Sequence, residues 1–430
     1  REVISLHIGQ AGVQAGSRLW ELYCLEHGIC PGTGMPISPL EKLPGQSGVD
    51  GFFQVTSGGA YQPRALMMDT DPSTVNAVSR SSLRSLFGHL QLVEGREDSG
   101  NNFARGYCGP GRSLWSKTSY HLRRLAEAAD SFQGFVVQHA MGGGTGAGFG
   151  AYTIQEISKK YPKKNQIVFS VFPSPCVSTA TVEPYNALLF AHFTSEGTEN
   201  GCFLTDNQAV YGMCNQQLGI ASPKYSDLNR ILAQTLSTVT SSFRFDGPLK
   251  ASFRDLQTNL IPTPRLKYPV LTYAPIVGHR KDGGWEDLST SDVAYMCFVP
   301  SNLLVVCDPR AGRYLCLCLA FRGDVSPREV NRAVSRLAEF DGIRFASWAP
   351  GTEATTRWGF RVPPKAACCL ANTTAVREAW SILSDKFETL LSKKAFVHWY
   401  LQEGLEMNDF RSALETARDT ETEYKLAERG

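Results

Sequence analysis

The stretch with the clearest chemistry is Gly142-Gly143-Gly144-Thr145-Gly146-Ala147-Gly148, in which five of seven residues are glycine. It lies between an apolar run, Phe135-Val136-Val137, and a helix-like run from Phe149 to Ser158. Glycine lets backbone N–H groups turn toward one point without side-chain obstruction. A Gly-rich turn that opens a helix therefore makes an anion site from converging amides and the helix N-terminus. That is phosphate-binding chemistry. A flexible linker is the alternative, but a linker seldom sits between a buried strand and a helix. The spacing is neither the P-loop pattern nor G-x-G-x-x-G, so the reading needs support from the elements around it.

That support comes from a set of strand-like runs that each end in polar or small residues. Val3-Ile4-Ser5-Leu6-His7-Ile8 runs into Gly9-Gln10-Ala11-Gly12 and then a helical segment from Val13 to His27. Strand, Gly-containing turn, helix is the first unit of a doubly wound α/β sheet. Ala65-Leu66-Met67-Met68 ends in Asp69-Thr70-Asp71, Ile167 to Phe172 in Pro173-Ser174-Pro175, and Cys202-Phe203-Leu204 in Asp206-Asn207. In open α/β sheets, ligands bind off the carboxyl ends of the strands. The glycine loop is thus one member of a set. Residues 30 to 62 are rich in Pro, Gly and Ser and read as a long mobile loop.

A long helical pattern from Leu228 to Phe243 follows, with Leu228, Ile231, Leu232, Leu236 and Val239 on one face. Further strands are expected at Val270 to Tyr273, Tyr314 to Phe321, Ile343 to Trp348 and Ala366 to Leu370. Two amphipathic helices close the chain, one carrying Trp380, Leu383, Phe387, Leu390 and Leu391, the other Phe410, Ala413, Leu414, Ala417 and Tyr424. Such stripes face a core. The 430 residues, 42% hydrophobic, suffice for more than one core. A net charge of +2 argues neither for nor against a polyanion partner. No apolar run approaches the length of a membrane span, and the start lacks the shape of a signal peptide. The 12 cysteines lack zinc-ligand spacing and read as reduced, buried thiols of a cytosolic protein.

Gly142 to Gly148 resembles the GGGTGSG signature of the tubulin family, with Ala147 in place of serine. Within that family the chain is most similar to the α-type members. The shared stretches include Trp20 to Ile29, Val182-Glu183-Pro184-Tyr185-Asn186, Gln257-Thr258-Asn259-Leu260, Cys307-Asp308-Pro309-Arg310, Arg322-Gly323-Asp324-Val325 and Ala395-Phe396-Val397-His398-Trp399-Tyr400. The resemblance covers essentially the whole chain. It implies an α/β fold with a Rossmann-like parallel-sheet GTP-binding domain (1–206). An intermediate domain holding the central helix and a second α/β layer (207–373) and a C-terminal helical hairpin (374–430) complete the expected organisation.

The resemblance also implies GTP with Mg²⁺ at the strand ends. Gln10 and Ala11 match the first phosphate turn, and Asp69 and Asp71 match the turn near the metal and its water shell. Where the family usually has Asp and Glu, this chain has two Asp. Mg²⁺ prefers few protein carboxylates and several waters, so the shorter Asp71 can act through water. Asp98 and Asn101 match the turn near the terminal phosphate. Thr145 is expected to donate its hydroxyl to phosphate, with the Gly143 and Gly144 amides and Gly146 alongside. Ala140 replaces a serine that reaches a phosphate. Thr179 and Glu183 match ribose contacts, Asn207 and Asn229 the guanine readers, and Tyr225 the aromatic that stacks on the base. Each Asn taken alone reads equally as a turn or cap residue.

Asp255, in Phe253-Arg254-Asp255-Leu256-Gln257, stands where α-type chains carry a Glu that orients the water attacking GTP on the next β subunit. Asp keeps the carboxylate on a shorter stem, which implies retained but slower hydrolysis; a solvated surface acid is the alternative. The chain's own GTP is implied to be non-exchangeable and unhydrolysed. The implied partner is β-tubulin, and the implied setting is the cytoplasmic microtubule cytoskeleton, with no nucleic acid and no membrane. Departures from the family point to a second possibility, a degenerate structural isotype of a specialised, axoneme-like array. Residues 278 to 288 match a lateral-contact loop in which Trp285 replaces a His. The segment between Trp348 and Asn372 is shortened, and Lys42 lies near an acetylated position. From Phe410 to Gly430, Glu415, Asp419, Glu421, Glu423 and Glu428 face Arg411, Arg418, Lys425 and Arg429. Such a weakly charged helix implies weaker steering of motors and associated proteins. A dinucleotide-dependent oxidoreductase on the same scaffold lacks the required G-x-G-x-x-G after the first strand.

Overall fold

The computed structural model describes residues 2–37, 46–174, 180–195, 201–245, 252–276, 288–338, 343–349, 352–357 and 365–429. The strands are β1 (Glu2–Ile8), β2 (Phe53–Val55), β3 (Tyr61–Pro63), β4 (Ala65–Asp69), β5 (Leu92–Glu94), β6 (Phe132–Ala140), β7 (Asn165–Phe172), β8 (Gly201–Asp206), β9 (Val270–Ala274), β10 (Tyr314–Gly323), β11 (Thr352–Arg357) and β12 (Lys365–Thr373). Among the described residues of the first half the helices are α1 (Gly9–Glu26), α2 (Pro72–Ser79), α3 (Phe103–Cys108), α4 (Pro110–Glu127), α5 (Gly150–Lys160), α6 (Glu183–Phe193) and α7 (Asn207–Gln216). They are followed by α8 (Tyr225–Arg244), α9 (Phe253–Leu260), α10 (Thr290–Met296), α11 (Pro327–Ala338), α12 (Arg377–Ser392), α13 (Val397–Gln402) and α14 (Met407–Arg429).

Ten strands form one sheet in the order β11-β10-β12-β9-β8-β7-β6-β1-β4-β5. From β9 to β5 the pairs are parallel, and β12 alone runs antiparallel to its neighbours β9 and β10. Parallel strands covered by helices on both faces need apolar residues throughout, and every residue of β1 and β4 is buried. The two expected α/β regions are joined edge to edge. The Leu204↔Val270 pair links β8 to β9, and the Leu204 N–H donates to Pro269 O at 2.9 Å. Strand order reverses around β1, which pairs with β4 on one side and β6 on the other. That is the topological switch point, where a crevice opens at the strand carboxyl ends.

Helix α8 packs against α1 and crosses the sheet near β9, β10 and β12. Its expected apolar face is buried, but so are Thr235, Ser237, Thr238, Thr240 and Ser241 on other faces. Because it is covered from both sides, these hydroxyls find partners on the helix itself and on α1. Thr235 donates to Ile231 O at 3.0 Å and Thr240 to Leu236 O at 2.7 Å, while Ser237 donates to the Glu26 carboxylate and Thr240 also meets the Tyr23 hydroxyl at 2.7 Å.

Two expectations fail. Ile343 to Trp348 is not a strand: it makes a single bridge, Tyr314↔Phe345, and turns at Ser347 and Trp348. The parallel neighbour of β10 is β11 instead, a run of threonines and charges with no apolar signature. The span from 30 to 62 is not one loop. Within its described part, a 3₁₀ turn at Gln46–Gly51 leads to β2, which pairs with β3 as a hairpin that puts Phe52 and Phe53 in the core around Trp20. Lys42 and Trp285 lie outside the described residues. All eleven described cysteines are free. No helix among the described residues is long and apolar enough to cross a membrane.

Candidate nucleotide site and a second, opposite face

The turns after β1, β4, β5 and β6 meet at the switch point, and glycine is what lets them meet. Gly9, with φ +73°, sits where a Cβ would come 3.0 Å from the Gly146 nitrogen. A Cβ on Gly146 would lie 2.5 Å from Ala140 O, and one on Gly144 would lie 2.6 Å from the Asn102 nitrogen. Gly143 differs: nothing lies within 4 Å of its Cβ position, so its backbone borders open space. The helical path begins before the expected Phe149, with a π-turn over Thr145–Phe149 that feeds α5.

Side chains then pin the turns. The buried Thr145 hydroxyl lies 2.5 Å from the Thr70 hydroxyl and 2.9 Å from the Ser99 hydroxyl, tying the ends of β4, β5 and β6 together. Asn186, fully buried on α6, donates from Nδ2 to Gly142 O at 2.7 Å and Asn101 O at 2.8 Å. Its Oδ1 accepts from Phe103 N–H at 3.0 Å and from the Tyr400 hydroxyl at 2.8 Å. One amide thereby sets the glycine loop, the 101 turn, α3 and α13. Sequence reasoning gave Asn186 no role. A polar residue three positions beyond Glu183, on the buried face of an apolar helix, is the signal that could have marked it.

Asp69 is buried, and no basic side chain pairs with it among the described residues. Burial pushes its carboxyl up to about 6, against the pull of hydrogen bonds from the Asp71 amide, Thr74 and Thr145. A buried carboxylate of this kind calls for a cation. Asp71 is occupied as the N-cap of α2, accepting from Ser73 N–H at 2.9 Å and from the Ser73 hydroxyl. Those bonds hold its carboxyl below the ordinary value. Among the described residues no cluster of three His, Cys, Asp or Glu could hold a metal alone. The set fits Mg²⁺ bound mainly through phosphates and water, with Asp69 and Asp71 at its edge; such an ion would neutralise phosphate charge.

Gln10 is exposed and Ala11 half-buried at the start of α1; Asp98 is exposed, and Asn101 holds a left-handed φ of +55° after Gly100 at +57°. Asn and Gly tolerate that conformation, which turns the chain toward α3. Glu183 begins α6, its Cγ 3.0 Å from the Cβ position of Gly142, and accepts from Ala180 N–H at 3.2 Å. Thr179 lies outside the described residues. Asn207 opens α7 behind Asp206, which caps that helix through Gln208 N–H at 2.9 Å. Tyr225 opens α8, half exposed and hydrogen-bonded to Tyr211, with Asn229 one turn further along. The glycine loop thus borders open space at the switch point, and Asn207 and Tyr225 stand at the starts of α7 and α8. Ala140 stands half-buried at the end of β6, beside the loop. The family resemblance implies a phosphate within reach of a serine here; on that expectation Ala140→Ser strengthens GTP binding about 10-fold, the effect of one added hydrogen bond to a charged group, about 1.5–3 kcal/mol. A nucleotide-binding titration of both proteins checks it.

Asp255 is not part of this set. It sits in the first turn of α9, which with Gln133, Lys163 and Asn165 lines a cavity of about 730 Å³. Gln133 and Asn165 belong to the beginnings of β6 and β7, whereas the glycine loop follows the end of β6. Nine residues of strand at ~3.3 Å each put about 30 Å between the two ends. Asp255 is exposed and closes a capping box: its carboxylate accepts from Ser252 N–H at 2.7 Å, and its own N–H donates to the Ser252 hydroxyl at 3.1 Å.

Residues 2–215 match the Tubulin/FtsZ family, GTPase domain, and residues 264–385 match the Tubulin C-terminal domain. The chain belongs to the tubulin family, whose first domain is a GTPase domain. Within that family it stands with the α-tubulins. It is 42% identical to the Tubulin alpha-2 chain of Caenorhabditis elegans over 99% of this chain and 96% of that one. It is also 42% identical, over the same shares, to the Tubulin alpha-2 chain of Schizosaccharomyces pombe.

Proposed function

We propose that the chain is an α-type microtubule subunit that pairs with β-tubulin, holds GTP with Mg²⁺ at the switch-point crevice without hydrolysing it, and supplies Asp255 to GTP on the next subunit. The observation that carries this reading is polarity. The phosphate turns gather at the carboxyl ends of the parallel strands, and the exposed Asp255 sits at the opposite ends. A carboxylate about 30 Å from its own chain's phosphates acts on a nucleotide only if another subunit brings one. Subunits stacked head to tail do so at every junction. Phosphoryl transfer depends on positioning and charge placement, which one oriented carboxylate can supply to a water.

Gln10, Ala11, Asp98, Asn101, Gly143, Gly144, Thr145 and Gly146 would line the phosphates, Glu183 and Thr179 the ribose, and Asn207, Asn229 and Tyr225 the guanine. The proposed setting is the cytoplasmic microtubule cytoskeleton. Motors and associated proteins would be held more weakly by α14, where Arg418 pairs with Asp385 and Glu388 at 2.9 Å each. A second reading, a structural isotype of an axoneme-like array with little catalytic contribution, draws on Ala140, on Asp71 as an N-cap and on the capping role of Asp255.

Co-purification with a β-tubulin, followed by nucleotide extraction after a cycle of assembly in labelled GTP, separates the two. Unexchanged GTP retained in equal number with this chain, together with co-assembly, supports the first reading. An empty site in a chain that still assembles supports the second.

A further inference from the structure

We propose that Arg254 is a second group that this chain presents to the neighbouring subunit's GTP, placing its guanidinium against the γ-phosphate during hydrolysis. The inference rests on the reading of Asp255 above. Arg254 precedes Asp255 in the first turn of α9, is exposed, and lines the same cavity as Lys163. A cation in the first turn of a helix opposes the helix dipole, so the position does not favour α9 itself. Nor does a local partner explain it. Among the described residues Arg254 makes no ion pair and no side-chain hydrogen bond, while the neighbouring Asp255 carboxylate is turned back to the Ser252 amide.

The cavity shares this character. Lys163 and Arg254 stand at its rim, Lys267 lies at its floor donating to Thr194 O at 2.5 Å, and among the described residues no carboxylate lines it. A concave, cationic wall beside one exposed carboxylate suits a polyphosphate with its attacking water. The carboxylate orients the water, and the planar, permanently charged guanidinium matches phosphate oxygens. In the reaction the water oxygen bonds to the γ-phosphorus as the bond from that phosphorus to the bridging oxygen breaks. GTP and water become GDP and inorganic phosphate, and the released proton leaves with the phosphate or to solvent. Arg254 exchanges no proton. It stabilises charge on the γ-phosphoryl and bridging oxygens as the bond opens.

The test is phosphate release per polymerised dimer in co-polymers with β-tubulin, for the parent, Arg254→Ala, Arg254→Lys and Asp255→Asn. Assembly in a slowly hydrolysed GTP analogue reports docking separately. Arg254→Ala is expected to dock normally and release phosphate about 100-fold more slowly, the usual effect of removing one charge-stabilising group, with Arg254→Lys recovering part of the loss. If Arg254→Ala weakens docking, Arg254→Gln, which keeps length and hydrogen bonding without charge, is read the same way. Parent-like release by a docked, charge-free variant while Asp255→Asn is slow overturns the role of Arg254 and leaves that of Asp255. Parent-like release by both overturns both.

Discussion

Glu26→Gln is expected to destabilise the folded chain by about 3–5 kcal/mol, because it strands two buried guanidinium groups at once. Glu26 of α1 contacts Arg244 of α8 at 2.6 Å and Arg322 of β10 at 2.7 Å, and all three side chains are nearly inaccessible. Ser237 donates to the same carboxylate at 2.6 and 2.8 Å, and Arg244 stacks 4.0 Å over the Tyr23 ring. Burial alone would raise the Glu26 carboxyl. The two arginines and Ser237 outweigh it and bring the group down to about 2. A depressed carboxyl stabilises the fold above its unfolded value, and that contribution is lost as pH falls from about 4.5 toward 2. Denaturant unfolding of parent and variant, measured at neutral and acid pH, checks this. The difference should be largest near neutrality and shrink in acid. Replacing Glu26, Arg244 and Arg322 together by apolar residues of similar volume should recover much of the loss, since the charges then disappear together.

The second large effect separates two adjacent glycines. Gly144→Ala forces a Cβ to 2.6 Å from both the Asn102 nitrogen and the Ser99 hydroxyl, so the turns must part. Overpacking of that kind costs about 1–3 kcal/mol. Gly143→Ala meets nothing among the described residues; the methyl enters the space proposed for phosphate. Thermal unfolding with nucleotide stripped and with GTP saturating distinguishes them. Gly144→Ala should unfold early in both. Gly143→Ala should match the parent when stripped and fall behind only with GTP, because a weakened ligand stabilises less. Its GTP affinity should drop at least about 10-fold.

The parts of the fold legible in the sequence are those where one local rule dominates. Apolar runs ending in polar or small residues marked β1, β4, β6, β7 and β8 with their turns, and the glycine content of 142–148 marked a turn with little side-chain obstruction. Tertiary context decided the rest. Strand β11 is held by pairing with β10, and its threonines and charges gave no signal, whereas Ile343 to Trp348 has the composition of a strand but is bridged only at Phe345, to Tyr314. The buried hydroxyls of α8 read as polar because nothing local says that both its sides are covered. The pattern Ser252-x-x-Asp255 before an apolar run signals a capping box, so the same residue carries a local structural role beside its proposed chemical one.

Asp255 is proposed to act across a subunit junction, on GTP held by the next subunit. The direct measurement is phosphate release per polymerised dimer in co-polymers of β-tubulin with the parent chain and with Asp255→Asn, which keeps an oxygen for the Ser252 amide and removes the charge. The expected result is normal assembly, at least about 100-fold slower release, and unchanged GTP on this chain itself. Release at the parent rate by fully assembled Asp255→Asn co-polymers would contradict it.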